Sequence, residues 1–536
     1  MNASRARAAL AQIGVTVAAV AVSALIGGCG DNYRPVVTPV PTSGPPAQPA
    51  LYAVVVSSTG SSTDGVVTII DYSGDSVMVE AAIGPGPSAF TLSELGTTGY
   101  TLNSNGTISN FAISTSLQAK YVTSSSGPGD AELVNLMSPS SGLWAADLYD
   151  NAVDLFSGSP EAFIRAVPVA TPASSPTEPV FIAGSPTTAG QREYAINQNV
   201  SSAMACNISP TTAPDGAATP IEISTQTADA AIPVGKCPVY AVQTPDLQRL
   251  FVLNRGDDTI TVINSNENTL DSCTPFKNES GQTVYCHPTL PLSLDAVAAI
   301  NAECTESGST LPPCGGPPNG TSGMTAIAGP IYAEYNAATQ QLVVANYDGG
   351  TVSVIDVSLD EYGNDSSTFG TTYTIPVGNT STPNPASVTV LYDGSKAYTA
   401  NQNDGTDNGT VTVVNLSTYA VEKTLTVVGH PRTVVNTQNS EYSKVYVNSP
   451  DSPYITIIES TPTVTDVIDT TVLVEGLPID IRTTTQSGSS GNNNYSSRVP
   501  GYGQPCNLSA EQLESYYGSS YLSTLTLAQC QEQSLP

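Results

Sequence analysis

The chain has 536 residues, only 12% of them charged, and its formal net charge at pH 7 is −30. This balance argues against a nucleic-acid partner, because binding to phosphate backbones requires clustered Lys and Arg. The 44 Gly and 41 Pro residues, with few charges and many Ser, Thr and Val residues, are typical of an all-β protein rich in turns.

The N-terminal segment has the features of an export signal. Arg5 and Arg7 precede the apolar run Ile13 to Ile26, which is too short to span a bilayer comfortably. Residues 1–28 are therefore predicted to be a secretory signal peptide. Ile26 to Cys29, IGGC, resembles the lipobox of bacterial lipoproteins, in which the Cys is lipidated and becomes the mature N-terminus. The alternative is an ordinary signal peptide followed by a chance Cys.

Residues 29–50 are rich in Pro, Thr and Ser, which predicts an extended tether between the lipid and the folded domain. By the same resemblance to lipoproteins, Gly30 after the Cys favours the outer membrane. We therefore expect an exported bacterial protein that is anchored by lipid at the outer membrane or cell surface. Through this anchor, the membrane is one expected partner.

An internal repeat organises most of the chain. Each copy has an aromatic or apolar residue followed three places later by a turn residue, and most copies are about fifty residues apart. By subtraction, the spacings are 48, 44, 50, 57, 92, 55 and 48. The copies begin at Tyr52, Tyr100, Trp144, Tyr194, Phe251, Val343, Tyr398 and Tyr446.

Each repeat predicts four antiparallel strands, as in Pro385 to Leu391, the YTAN strand, the TVTVVN strand and Ala420 to Val427. One such sheet cannot bury both faces alone, and radial stacking solves this in a β-propeller. We predict an all-β propeller over residues 51–483, with eight blades by repeat count and seven as the alternative. A spare strand at Pro478 to Arg482 is expected to pair with the first repeat and close the ring with strands from both termini.

The repeats resemble the YVTN family of β-propeller proteins, which is related to the YncE-like propellers. The motifs that carry this resemblance are Val234 to Pro238 (VGKCP), Thr244 to Asp246 (TPD), Phe251 to Asn254 (FVLN) and Thr259 to Asn264 (TITVIN). The similarity is strong from about 232 to 448 and weaker from 51 to 223. It implies a propeller, commonly of seven blades, and specifies no activity.

The cysteines fit an exported protein. Nine are present, and setting aside Cys29 as the lipid acceptor leaves eight. Nearest-neighbour pairing is the simplest of the 105 possible connectivities. A zinc site is the alternative, although no CxxC pair occurs and only two His residues exist. The expected disulfides are Cys206–Cys237, Cys273–Cys286, Cys304–Cys314 and Cys506–Cys530.

Two segments depart from the repeat. The spacing of 92 indicates an insertion at about 268–323, which carries four of the cysteines and is either a recognition surface or an inert loop. Residues 484–504 are predicted to be a flexible linker, and residues 505–536 a small disulfide-closed helical tail.

Catalytic candidates are few. His287 is expected to be a surface residue. His430 and Arg432 are weak catalytic candidates, because lactonase propellers similar to this fold place His and Arg near the central channel. The same Gly-x-Pro position begins the inner strand of other repeats, so a structural role is the alternative.

Calcium is the one cofactor that the sequence suggests, through Asp and Asn residues on turns. Asp404 and Asp407 lie in one such turn, and Asp257 and Asp258 in another. Turn formation explains both clusters without a metal.

The expected function is that of a non-enzymatic, lipid-anchored, extracytoplasmic propeller that acts as a binding or scaffold protein at the cell envelope. A protein or glycan of the envelope is the expected partner, and the sequence leaves the oligomeric state open. The alternative is a lactonase-like or metal-assisted hydrolase that uses the propeller channel.

Overall fold

The computed structural model describes most of the region between residues 51 and 484. Of residues 119–122 and 210 only the backbone is considered. The described ranges are 51–93, 96–113, 119–122, 132–139, 142–158, 161–169, 177–184, 192–199, 206, 210–277, 281–406, 408–438, 442–460 and 466–484.

The described chain forms eight antiparallel sheets arranged as the blades of a propeller ring. This confirms the eight-bladed prediction over the seven-bladed alternative. Within each blade the first strand is the inner one, and successive strands lie further from the axis. Blade 1 differs because its inner strand comes from the C-terminal end of the ring.

The first four blades contain the weaker repeats. Blade 1 consists of β1 (Tyr52–Ser58), β2 (Asp64–Asp71), β3 (Ser76–Pro85) and β36 (Leu477–Thr483), and blade 2 of β4 (Pro87–Leu92), β5 (Thr98–Asn103), β6 (Ile108–Ala112) and β7 (Ala119–Val122). Blade 3 consists of β8 (Leu133–Met137), β9 (Leu143–Asp147), β10 (Ala152–Gly158) and β11 (Glu161–Pro168). Blade 4 consists of β12 (Pro179–Gly184), β13 (Arg192–Asn197), β14 (Asp215–Glu222), β15 (Thr227–Ala228) and β16 (Ile232–Lys236), with a 3₁₀ turn at Pro210–Thr212.

The other four blades contain the stronger repeats and the insertion. Blade 5 consists of β17 (Pro238–Gln243), β18 (Arg249–Asn254), β19 (Thr259–Asn264), β20 (Thr269–Leu270) and β23 (Thr289–Pro291). The insertion adds β21 (Phe276–Lys277), β22 (Thr283–Val284) and α1 (Leu294–Ser307). Blade 6 consists of β24 (Pro330–Asn336), β25 (Gln341–Asn346), β26 (Thr351–Asp356) and β27 (Thr372–Pro376). Blade 7 consists of β28 (Pro385–Val390), β29 (Lys396–Asn401), β30 (Gly409–Asn415) and β31 (Ala420–Val427), and blade 8 of β32 (Thr433–Asn436), β33 (Lys444–Asn448), β34 (Tyr454–Glu459) and β35 (Val467–Leu473).

The ring is closed in blade 1 by strands from both ends of the propeller, as the sequence predicts. Strand β36 pairs with β1 so that Arg482 lies opposite Val54. Beyond the strand, the Tyr52 N–H donates to Thr484 Oγ1 at 2.7 Å, and the Thr484 N–H donates to the Tyr52 carbonyl. Closure leaves β1 without an exposed edge.

The pairing register corrects the position of the first repeat motif. Tyr398 of the YTAN motif lies opposite Val413, two residues before the end of β30. The residue opposite Ile69, at the same position in β2, is Val54. Val54 is therefore the equivalent of Tyr398, and the motif begins two residues later than Tyr52.

A buried Asn links the second and third strands in five blades. Asn401 Nδ2, for example, donates to Thr410 Oγ1 at 3.1 Å and to Thr412 Oγ1 at 2.9 Å. The amide N–H groups donate and the hydroxyl oxygens accept, so the buried amide donors have partners. The equivalent donors are Asn103 to Thr107 and Ser109, Asn197 to Thr219, Asn254 to Thr259 and Thr261, and Asn346 to Thr351 and Ser353.

Buried side chains of the inner strands meet at the axis of the ring. The Phe181, Tyr240 and Tyr332 rings of three consecutive blades contact one another, with centroids 4.5 and 4.6 Å apart. Arg482 is fully buried and pairs with Asp480 at 2.8 Å. Burial acts to lower the pKa of Arg482, but Asp480, Tyr332 and Tyr240 together raise it above its ordinary value. Because Tyr240 and Tyr332 belong to blades 5 and 6, their effect on the pKa indicates that the Arg482 side chain of blade 1 extends towards those blades.

Candidate binding site beneath the insertion

The insertion consists of two excursions from blade 5, one between β20 and β23 and one after β23. The outermost strand of this blade is split, because β20 pairs with one end of β19 and β23 with the other. Between these halves the chain forms the β21–β22 hairpin, which Cys273–Cys286 closes. After β23 the chain forms α1 and a loop tied back to it by Cys304–Cys314 before it enters blade 6.

Helix α1 is fixed at both ends and lightly packed between them. Ser293 accepts a hydrogen bond from the Ala296 N–H at 3.0 Å as the N-cap, and Gly308 ends the helix with φ 70°. The Leu294 N–H donates to the Thr325 carbonyl, which ties the first turn to the chain before blade 6. Among the residues of the helix only Ala296 is buried. The helix therefore contributes little to the core of the propeller.

A cleft of about 510 Å³ lies between α1 and the propeller. Its volume is in the range of small-ligand sites. One face of the helix forms its roof together with the disulfide loop, and blades 4 and 5 form its floor. The roof residues are Ala296, Ala299, Ile300, Glu303, Cys304, Ser307, Ser309, Leu311, Pro312, Pro313 and Cys314, and the floor residues are Asp215, Pro233, Val234, Gly235, Asp257, Thr259, Thr261, Leu270 and Thr289.

The cleft is apolar with an acidic component. Carboxylates of Asp215, Asp257 and Glu303 line it, and the lining formed by the described residues includes no Lys, Arg or His. Burial raises the pKa of Asp257, whose carboxylate accepts hydrogen bonds from Thr259 Oγ1 at 2.7 Å and from the Lys236 N–H at 3.0 Å. This lining favours a ligand with an apolar body and a positive charge over an anion.

His287 is not a surface residue, so that prediction is wrong. Its side chain is 12% exposed, stacks on Phe369 and contacts Asp365, with Nδ1 2.7 Å from Oδ2. Arg249 lies 3.1 Å from Asp365 and 3.4 Å from Asp271, and the His287 N–H donates to Asp271. Burial and the neighbouring Asp365 raise the pKa of Asp271 to about 6. The cluster anchors the insertion to blade 6.

His430 is buried at the start of blade 8 beside Asp451. Both its N–H (2.8 Å) and its Nδ1 (2.5 Å) contact the Asp451 carboxylate. Burial acts to raise the pKa of Asp451, but the hydrogen bonds from His430 outweigh it and the pKa lies below its ordinary value. An Asp carboxylate accepts the equivalent N–H of Lys236, just before blade 5, so this contact recurs as turn architecture. Arg432 is also buried, and a catalytic role for the two residues stays a prediction.

The calcium candidates lie on turns whose backbone they bind. Asp258 Oδ1 accepts the Gly329 N–H at 2.7 Å, and Asp257 is bonded as described above. Asp404 accepts the N–H of Thr406 at 2.8 Å, whereas Asp407 lies outside the described residues. Within the described ranges, no group of three or more His, Cys, Asp or Glu side chains could hold a metal ion.

Three of the four expected disulfides are present: Cys206–Cys237, Cys273–Cys286 and Cys304–Cys314. They are consistent with an extracytoplasmic protein. No helix in the described part of the chain has the length and apolar character needed to cross a membrane. The signal peptide, Cys29, the tether, the linker after 484 and the tail with Cys506 and Cys530 lie outside the described residues.

Sequence reasoning missed α1 and with it the roof of the cleft. The signal was present: Ser293 is a good N-cap, Leu294 to Glu303 contains four Ala residues, and Gly308 follows at the C-terminal end. The Pro and Gly residues that follow the helix indicate a loop, and the whole insertion was interpreted as one. The sequence analysis did not single out the acidic residues Asp147 and Asp154 of blade 3 either.

No protein-family model matches the chain, and no curated protein does. Solved structures with a similar fold include a putative 6-phosphogluconolactonase from Bacteroides fragilis (14% identity, TM-score 0.46, 82% of this chain and 99% of that chain). They also include apo AztD from Citrobacter koseri (12%, 0.48, 81% and 98%) and the dihydro-heme d1 dehydrogenase NirN (12%, 0.49, 81% and 74%). These similarities concern the fold and carry no assignment of activity.

Proposed function

We propose that this chain is a binding protein of the bacterial cell envelope, exported and lipid-anchored through Cys29, and that the cleft beneath α1 holds its ligand. The observation that carries the proposal is the position of the helix. Helix α1 is capped, tied by a disulfide and held over the propeller, yet its inward face lines a cleft of about 510 Å³. A helix added only to stabilise the fold would pack this face against the core.

The lining defines the class of ligand. Ala, Ile, Leu and Pro side chains suit an apolar body, while Glu303 and the half-buried Asp257 suit a cationic group. Such a group can belong to a free amine or to a Lys or Arg side chain of an envelope protein. A glycan, which is polar and uncharged over most of its surface, fits this lining less well.

A matched pair of probes tests the charge preference. We expect phenethylamine, at millimolar concentration, to give saturation-transfer signals with the protein, and 3-phenylpropionate, which has a similar body and the opposite charge, to give none. The Glu303→Gln substitution is expected to weaken binding of the amine by about two- to fivefold, the range for losing one exposed ion pair.

Glu306→Gln is the matched control, because Glu306 lies on the same helix but does not line the cleft. It is expected to leave amine binding unchanged. Binding of the carboxylate probe as tight as that of the amine, or equal losses in the two variants, would contradict the proposed ligand class.

A further inference from the structure

Blade 3 breaks the Asn–hydroxyl pattern that links the strands of five other blades. Asp147 lies at the end of β9, where the five blades with this pattern have Asn, and is paired with Ala152. Asp154, two residues further along β10, occupies the position of Thr412 in blade 7. In blade 7 the side chains at these positions are joined at 2.9 Å. Two carboxylates therefore face each other where an amide donor and a hydroxyl normally meet.

Both carboxylates are fully buried, and three of their four oxygens have no hydrogen-bond donor among the described residues. Asp147 and Asp154 are each 0% exposed. Asp147 Oδ1 accepts N–H groups of Glu132 (3.0 Å), Tyr149 (3.0 Å) and Asp150 (3.3 Å). Asp147 Oδ2 and both oxygens of Asp154 have no hydrogen-bond partner among the described residues. Buried oxygens of this kind require a compensating proton or positive charge.

The surroundings add negative charge. After burial, the negative charges of Asp147 and Asp150 raise the pKa of Asp154. In the same way, the charge of Asp147 raises the pKa of Glu132, and that of Glu132 raises the pKa of Glu178. Burial, followed by Asp147, raises the pKa of Asp154 to about 7. No ion pair found in the described part of the chain includes any of these carboxylates. The buried carboxylate of Asp480, in contrast, has a cationic partner in Arg482.

We propose that Asp147 Oδ2 and the carboxylate of Asp154 bind a divalent cation, with Ca²⁺ as the fitting ion. Both proposed side-chain ligands are carboxylates, whose oxygen atoms suit a hard cation, and the proposed site uses no thiol or imidazole. Two carboxylates do not complete a coordination shell, so backbone carbonyls and water supply the remaining ligands, as they do in many Ca²⁺ and Mg²⁺ sites. The inference is independent of the cleft and its ligand.

Thermal unfolding of the full chain tests the site. After removal of metal with EDTA, we expect 5 mM CaCl₂ to raise the Tm by about 2–5 °C, because an ion that binds only the native state stabilises it. MgCl₂ is expected to have a smaller effect. Calorimetric titration should give one calcium ion per chain.

The control restores the pattern of the other blades. The double variant Asp147→Asn/Asp154→Thr is expected to fold, to have a Tm independent of calcium and to bind no ion. Asp154→Asn, which keeps the shape and removes one charge, serves if the double variant does not fold and should also lose the response. A wild-type Tm that is unaffected by EDTA, Ca²⁺ and Mg²⁺ would overturn the proposal. A wild-type Tm that does not respond to metal but rises as the pH falls from 8 to 5 would also overturn it, because a shared proton would then stabilise the pair.

Discussion

A chain that ends at Glu475 is expected not to fold cooperatively. This truncation removes β36, the inner strand of blade 1, and exposes the edge of β1 along its whole length. Ile479 and Ile481 are lost from two separate core clusters, one on each side of the blade. Losing a buried strand costs more than about 5 kcal/mol, which is comparable with the total stability of a typical domain. Circular dichroism during heating should show no sharp transition.

The matched control ends at Gln486. It keeps β36 and the bonds between Thr484 and Tyr52, and it lacks only residues beyond the described ring. We expect this chain to unfold with the Tm of the full-length protein to within a few degrees. Cooperative unfolding of the shorter chain at a similar temperature would show that ring closure contributes little.

Arg482→Met is expected to lower the free energy of unfolding by about 3–5 kcal/mol, the cost of leaving a buried carboxylate without its cation. Asp480 accepts hydrogen bonds from Arg482 Nη2 at 2.8 Å and Nε at 3.1 Å, and from Thr433 Oγ1 at 3.0 Å. With the guanidinium removed, the carboxylate must be protonated or hydrated at the axis of the ring. Urea unfolding measures the loss.

The partner variant separates loss of the ion pair from loss of packing. Adding Asp480→Asn to Arg482→Met removes the unpaired charge and keeps the bond with Thr433 possible. We expect the double variant to recover about 1–3 kcal/mol of the loss. Equal stability of the single and double variants would indicate that Arg482 acts through packing alone.

The fold could be predicted because the motifs that specify it are short stretches of sequence. Asn401 and Thr412 recur with little change in other blades, so strand order and blade number followed from recurrence alone. The first repeat was placed two residues early because Tyr52 resembles the aromatic residue of the motif, whereas pairing assigns that position to Val54. Only the hydrogen-bond register between β1 and β2 shows that Val54, and not Tyr52, occupies the position of Tyr398.

The candidate site could be predicted only in part. The sequence located the insertion and its disulfides, since cysteines and spacing are visible in one chain. The cleft depends on how α1 lies over blades 4 and 5, which is a long-range property. In the same way, Asp147 and Asp154 are seven residues apart, and nothing local in the sequence shows that three of their four carboxylate oxygens are buried without a donor. His287 was misjudged because Asp365, its partner, lies in the next blade.

Filling the cleft tests the central claim, that the insertion builds a binding site, most directly. Ala299 lines the cleft and its neighbour Ala298 does not, and both are exposed on the same helix. Titration of phenethylamine, followed by NMR, should show that Ala299→Trp weakens binding at least about tenfold, because the indole occupies the space of the ligand. Ala298→Trp should bind as the wild type does. Unchanged binding to Ala299→Trp would contradict the account.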